Sequence, residues 1–127
     1  MFKILIVEDN ISFRDSLKEL LVTRFPRMVI EEAGDGNEAM QKVDFFHPDL
    51  IFMDIKLPGE SGLELTGRIK VQYPEMKIII LTSYDLPEYR EAAARYGAND
   101  FLVKGTSTRE EILKLVESFL PKVVKSP

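Results

Sequence analysis

The chain has no cysteine, and its one histidine, His47, has no partner at metal-ligand spacing. That excludes a disulfide framework and a thiolate metal site, and suits a reducing compartment. No apolar run approaches membrane-spanning length, and no basic stretch followed by a long apolar core opens the chain, so a cytoplasmic protein without membrane contact is expected. Lys and Arg total 17 against 21 Asp and Glu, a net charge of −4, and the basic residues are scattered rather than clustered. A surface that binds nucleic acid directly needs a concentrated basic patch, so none is expected here. Repeats, low-complexity segments and internal linkers are also lacking.

With 127 residues, 45% of them hydrophobic, the chain is the size of one ordinary domain with a single core. Apolar runs of strand length occur at Ile4 to Val7, Met28 to Ile30, Leu50 to Met53, Ile78 to Leu81 and Phe101 to Val103. Between them Phe13, Leu17, Leu20 and Leu21, then Ala39, Met40 and Val43, and last Ile112, Leu113, Val116, Phe119 and Leu120 follow helical spacing. Four pairs of the form cap residue, then glutamate three later, mark helix starts: Asp35/Glu38, Ser61/Glu64, Asp85/Glu88 and Ser107/Glu110. Pro26, Pro48 and Pro74 stand just before the second, third and fourth strands. Alternating strands and helices predict an α/β fold, a parallel sheet with right-handed crossovers and helices on both faces. The domain is expected over residues 1–120, with 121–127 a tail or the start of a linker.

In such a sheet the ligand crevice lies beyond the carboxyl ends of the strands. The residues there are Glu8 and Asp9, then Asp54, then Thr82 and Ser83, then Lys104. Two carboxylates about 4 Å apart repel by roughly 4 kcal/mol at an effective dielectric near 20, so three such groups call for a cation. Lys104 supplies one charge. An all-oxygen set suits Mg²⁺ or Mn²⁺, bound through few carboxylates and several waters. Asp54 can then act as a nucleophile on phosphorus, with Lys104 and Thr82 facing the phosphoryl oxygens.

Taken singly, each residue has a plainer reading: Asp54 as a turn cap, Asp9 as an N-cap for the first helix, Lys104 as a surface charge, Phe101 as a core aromatic, His47 as a solvated loop residue. Jointly, Glu8-Asp9, Asp54 with Leu57-Pro58 and Gly62, Thr82-Ser83, and Phe101-Leu-Val-Lys104 resemble the receiver domain of two-component response regulators over nearly the whole chain. The resemblance implies a (βα)5 flavodoxin-like, doubly wound sheet of strand order 2-1-3-4-5. It implies that Asp54 accepts phosphate from a sensor histidine kinase or phosphotransfer protein, with slow self-catalysed dephosphorylation. Mg²⁺ would be held by Asp9, Asp54 and the backbone carbonyl of Lys56, with Glu8 acting through water or positioning the ion. Thr82 and Phe101 would form the switch, and Lys56 and Tyr84 would influence how water reaches the phosphoryl group.

Two positions depart from the usual family pattern. Gly105 follows Lys104 where proline is common, leaving a cis bond there open, and the Lys-Gly-Thr-Ser sequence resembles receivers that precede LuxR-type helix-turn-helix domains. Phe101 occupies the position usually held by tyrosine. The resemblance allows a homodimer through the fourth helix, fifth strand and fifth helix, where Tyr89 and Tyr96 lie, and a DNA-binding domain beyond the chain. Two other readings stay open: an aspartyl-nucleophile phosphohydrolase, and a pseudo-receiver that binds partners without phosphorylation.

Overall fold

The computed structural model describes residues 1–121. Its elements are β1 (Lys3–Val7), α1 (Ile11–Arg24), β2 (Val29–Ala33), α2 (Gly36–Phe46), β3 (Leu50–Met53), β4 (Lys56–Leu57), β5 (Glu60–Ser61), α3 (Gly62–Gln72), β6 (Lys77–Thr82), α4 (Pro87–Arg95), β7 (Asp100–Val103) and α5 (Arg109–Phe119). Five strands form one parallel sheet in the order β2-β1-β3-β6-β7, and β4 and β5 pair separately as an antiparallel hairpin. Without that hairpin the order is the expected 2-1-3-4-5, β6 and β7 being the fourth and fifth strands of the sequence reading. The expected tail at 121–127 lies, after Pro121, outside the described residues.

The apolar strands have a direct physical cause. β3 pairs with β1 on one side and β6 on the other, and all four of its side chains are buried. Alternate residues then serve opposite layers. Leu5, Val7, Ile51, Met53, Ile78 and Ile80 pack with Ala39 and Val43 of α2, Leu65 and Ile69 of α3, and Ala93 of α4. Ile4, Ile6, Leu50, Phe52, Ile79 and Leu81 pack with Leu17 and Leu21 of α1 and Ile112, Leu113 and Val116 of α5. β2 runs to Ala33 rather than stopping at Ile30. It is an edge strand, so Glu31 and Glu32 can stay in the ladder while their carboxylates meet Lys42 and Arg14 at the surface.

Helix starts follow the cap chemistry with three corrections. Asp35 accepts from the Glu38 N–H (2.8 Å) and Ser61 from the Leu63 N–H (3.2 Å), as expected. The cap of α1 is Asn10 rather than Asp9, its side chain accepting from Phe13 N–H at 3.0 Å. At α4 the helix begins with Pro87 after Leu86, with no side-chain cap, and Asp85 instead pairs with Arg90 at 2.7 Å. Proline at the first helical position presets the backbone angle and has no N–H to satisfy. At α5 the cap lies one residue later than expected: Thr108 and Glu111 form a reciprocal capping box. Ser107 is used in the turn before it, accepting from Val103 N–H on its hydroxyl (3.2 Å) and donating its own N–H to the Val103 carbonyl (2.9 Å).

Candidate acceptor and metal site at the strand ends

Between β1 and β3 the order of the strands reverses, which opens a crevice beyond their carboxyl ends. The two strand ends are stitched together there: Asp54 N–H donates to the Val7 carbonyl at 3.0 Å, and Glu8 N–H donates to Ala33 on the other side at 2.9 Å. Glu8 is 3% exposed and Asp54 7%, so both carboxylates stand at the mouth of the core, while Asp9 is exposed. Carboxylate oxygens of Glu8, Asp9 and Asp54 all lie within 4.8 Å of one another.

Each buried carboxylate is held by named donors. Asp54 Oδ1 accepts from the N–H of Ile55 at 2.8 Å, and Oδ2 faces the Lys104 ammonium at 3.4 Å. Glu8 Oε1 forms an ion pair with Lys104, and Oε2 accepts from Asn10 N–H at 3.0 Å. Burial pushes the Glu8 carboxyl up from its ordinary value of 4.5; Lys104 and the Asn10 N–H pull the other way, and the charge of Asp54 adds to the rise. Three carboxylates against one ammonium leave excess negative charge. Oxygen donors at this spacing, one of them exposed to solvent, fit a hard divalent cation.

Lys104 reaches the site because its backbone N–H is tied to the Thr82 carbonyl (2.8 Å), which sets the ends of β6 and β7 side by side. Gly105 then turns the chain at φ +86°, an angle closed to proline, and the Lys104–Gly105 peptide is trans. Thr82 is fully buried, its hydroxyl oxygen accepting from Tyr84 N–H at 3.3 Å; Ser83 is exposed.

Glu8, Asp9, Asp54 and Lys104 thus come together, with Thr82 at the adjacent strand end. Phe101 stands apart from the acids: it is half-buried, packs on the α2–α3–α4 layer, and carries the Arg90 guanidinium over its ring at 4.6 Å. The Lys56 ammonium lies over the rings of Tyr84 (5.2 Å) and Tyr89 (5.7 Å), which meet edge to face at 6.2 Å. Tyr96 is exposed at the end of α4. His47 is exposed too, closing α2 in a left-handed turn against the edge of Tyr73.

Sequence reasoning missed Asn10 and Phe13. Asn10 has no glutamate three residues on to advertise it as a cap. Phe13 reads as the first residue of an apolar stripe, yet the Lys104 ammonium lies 4.3 Å from its ring centroid.

The response regulator receiver domain matches residues 4–117. The chain belongs to that family. Among curated relatives, the oxygen regulatory protein NreC of Staphylococcus haemolyticus is 38% identical over 112 residues, covering 87% of this chain and 52% of that protein. The protein of the same name from Staphylococcus aureus is 37% identical over 114 residues, covering 89% and 52%. The receiver domain therefore spans about half the length of these relatives. Among solved structures it is similar to a CheY-like receiver domain protein of Methanospirillum hungatei, with TM-score 0.84, 30% identity and 94% of both chains covered. It is also similar to Vibrio cholerae chemotaxis protein CheY4, with TM-score 0.84, 31% identity, and 94% and 99% covered. As a receiver, the chain is a signalling domain of the two-component class, and among the described residues no helix is long and apolar enough to cross a membrane.

Proposed function

We propose that this receiver domain takes a phosphoryl group onto Asp54 from the phosphohistidine of a sensor histidine kinase or phosphotransfer protein, and that the adduct switches a docking surface. The observation that carries this is the Asp54 carboxylate itself, nearly buried, one oxygen fixed by the Ile55 N–H and the other turned toward Lys104 inside an acid cluster. A turn cap needs neither the ammonium nor the second and third carboxylates.

In the transfer an Asp54 oxygen attacks phosphorus, the P–N bond breaks, and its electron pair leaves with the imidazole. Lys104 neutralises phosphoryl oxygens, and Thr82 donates its hydroxyl to one of them. Glu8, Asp9, Asp54 and the Lys56 carbonyl would hold Mg²⁺ or Mn²⁺, which when bound offsets the charge gathering on the phosphoryl oxygens. The adduct at Asp54 then carries close to two negative charges where the carboxylate carried one, and its phosphoryl oxygens draw Thr82 and Lys104 toward them. Space opens behind Thr82, Phe101 turns inward, and the surface of α4, β7 and α5 changes population rather than being created. That face would take a partner or a second copy of the chain. Because the Lys-Gly-Thr-Ser sequence resembles receivers that precede LuxR-type helix-turn-helix domains, a C-terminal DNA-binding domain would make the whole protein a cytoplasmic transcription regulator.

A phosphohydrolase of the haloacid-dehalogenase type is disfavoured, because the position two beyond the nucleophile holds Lys56, not an aspartate that could act as general acid. A pseudo-receiver is disfavoured by the intact acid set. The test is mass spectrometry after acetyl phosphate in Mg²⁺. One phosphoryl group is expected, absent from Asp54→Asn; a stable adduct on Thr82 or Ser83 would overturn the assignment.

A further inference from the structure

We infer that Phe13 is a positioning residue for Lys104, holding its ammonium in place by an aromatic face for phosphoryl transfer. The inference rests on the phosphoacceptor reading above, and the contact itself stands apart from it. Four interactions close into a ring. The Glu8 carboxylate accepts from Asn10 N–H (3.0 Å), the Asn10 side chain accepts from Phe13 N–H (3.0 Å), the Phe13 ring faces the Lys104 ammonium (4.3 Å), and that ammonium returns to Glu8. The start of α1 is therefore locked to the acid cluster, and its first aromatic residue is delivered to the lysine.

Packing alone does not demand an aromatic here. Phe13 is only half-buried and touches the α1–α5 core layer from its margin, where a leucine would serve. What an aromatic adds is a negative ring face, attractive to a cation yet carrying no net charge. The Lys104 side chain is 15% exposed, so the contact is largely shielded from water, the condition under which cation–π attraction counts most. Of the three ammonium hydrogens, one is directed to Glu8 and one toward Asp54 Oδ2 at 3.4 Å. The ring closes the third side. A carboxylate in that place would add a third acidic partner to a lysine that already pairs with Glu8 and faces Asp54; an aliphatic side chain would give it no electrostatic hold. The ring limits the wandering of the ammonium and leaves its charge available to the oxygens at Asp54.

The experiment compares wild type with Phe13→Leu, Phe13→Met and Phe13→Tyr in the full chain. The rate of phosphorylation by acetyl phosphate, Mg²⁺ affinity without donor, and the NMR shift of the Lys104 ε-methylene protons are read for each. Leucine and methionine should slow phosphorylation about three- to thirty-fold, leave Mg²⁺ affinity unchanged, and abolish the upfield ring-current shift at Lys104. Tyrosine should restore rate and shift together. Equal rates in all four proteins, equal slowing by tyrosine and leucine, or a Lys104 shift indifferent to the loss of the ring would each overturn the inference. If wild type took up no phosphoryl group on Asp54, the acceptor reading would fall, and with it the catalytic purpose of Phe13; an intact Lys104 shift would then show that the contact exists without that purpose.

Discussion

Gly62 sits against the backbone of Asp54 so closely that a Cβ on it would overlap the Asp54 carbonyl oxygen and lie 2.8 Å from its carbonyl carbon. The Gly62 N–H also donates to the Ile55 carbonyl at 2.8 Å, so the start of α3 is clamped onto the residues that present the acceptor. The hairpin β4–β5 is the loop that makes this return possible.

Gly62→Ala should therefore displace the Asp54 segment rather than fill space. A loss of roughly 1–3 kcal/mol is expected, as for overpacking of a tight interior. Urea denaturation measures it, and phosphorylation of the folded fraction should slow as well; a variant of wild-type stability would show that the clamp relaxes at no cost.

Metal binding should depend on Asp9, the exposed member of the acid cluster. Asp9→Asn is expected to weaken Mg²⁺ binding, which in wild type is itself weak, because so open a site leaves coordination to water. Titration followed by NMR would decide, and unchanged affinity would remove Asp9 from the ligand set.

The α5 capping box makes a pH-dependent contribution. The Thr108 N–H, which donates to the Glu111 carboxylate at 2.8 Å, and the adjacent Thr108 side chain hold the Glu111 carboxyl below its ordinary 4.5. The unfolded chain binds that proton more readily, so the contribution is complete above 4.5 and is lost as pH falls through the folded value. The stability difference between wild type and Glu111→Gln should shrink on acidification below 4.5. Thr108→Ala, which removes the cap itself, should cost about 1 kcal/mol at neutral pH.

If phosphorylation at Asp54 reaches the α4–β7–α5 face, beryllium fluoride in Mg²⁺ should change amide exchange from Tyr89 to Lys104. Two cation–π contacts already tie α4 to its neighbours there: Tyr89 meets Lys56 of the acceptor loop, and Arg90 covers Phe101. Because Phe101 has no hydroxyl to fix either packing, partial occupancy of the switched state before modification is expected. Changes confined to α1 and α2 would reject this route.

The linear chain determined the apolar strands β1, β3, β6 and β7 and their polar ends, but not the full length of β2 or the β4–β5 hairpin. β3 was legible because a strand covered on both faces must be apolar throughout, and the break from Met53 to Asp54 marks where burial stops. Glu8, Asp9, Thr82 and Lys104 were legible for the same reason, each following an apolar run. What the sequence left undecided were contacts between residues distant along the chain and choices among adjacent caps. Thr108 displaced Ser107 because the β7–α5 turn had already engaged the serine hydroxyl. Asp85 lost the α4 cap to the geometry of Leu86-Pro87 and took Arg90 instead. Phe13 and Lys104, 91 positions apart in the numbering, share no local signal; only closure of the sheet, with α1 packed beside β1 and Lys104 carried to the end of β7, brings ring and ammonium to 4.3 Å. Local patterns record which side chains must leave water, and the tertiary fold decides which of them meet.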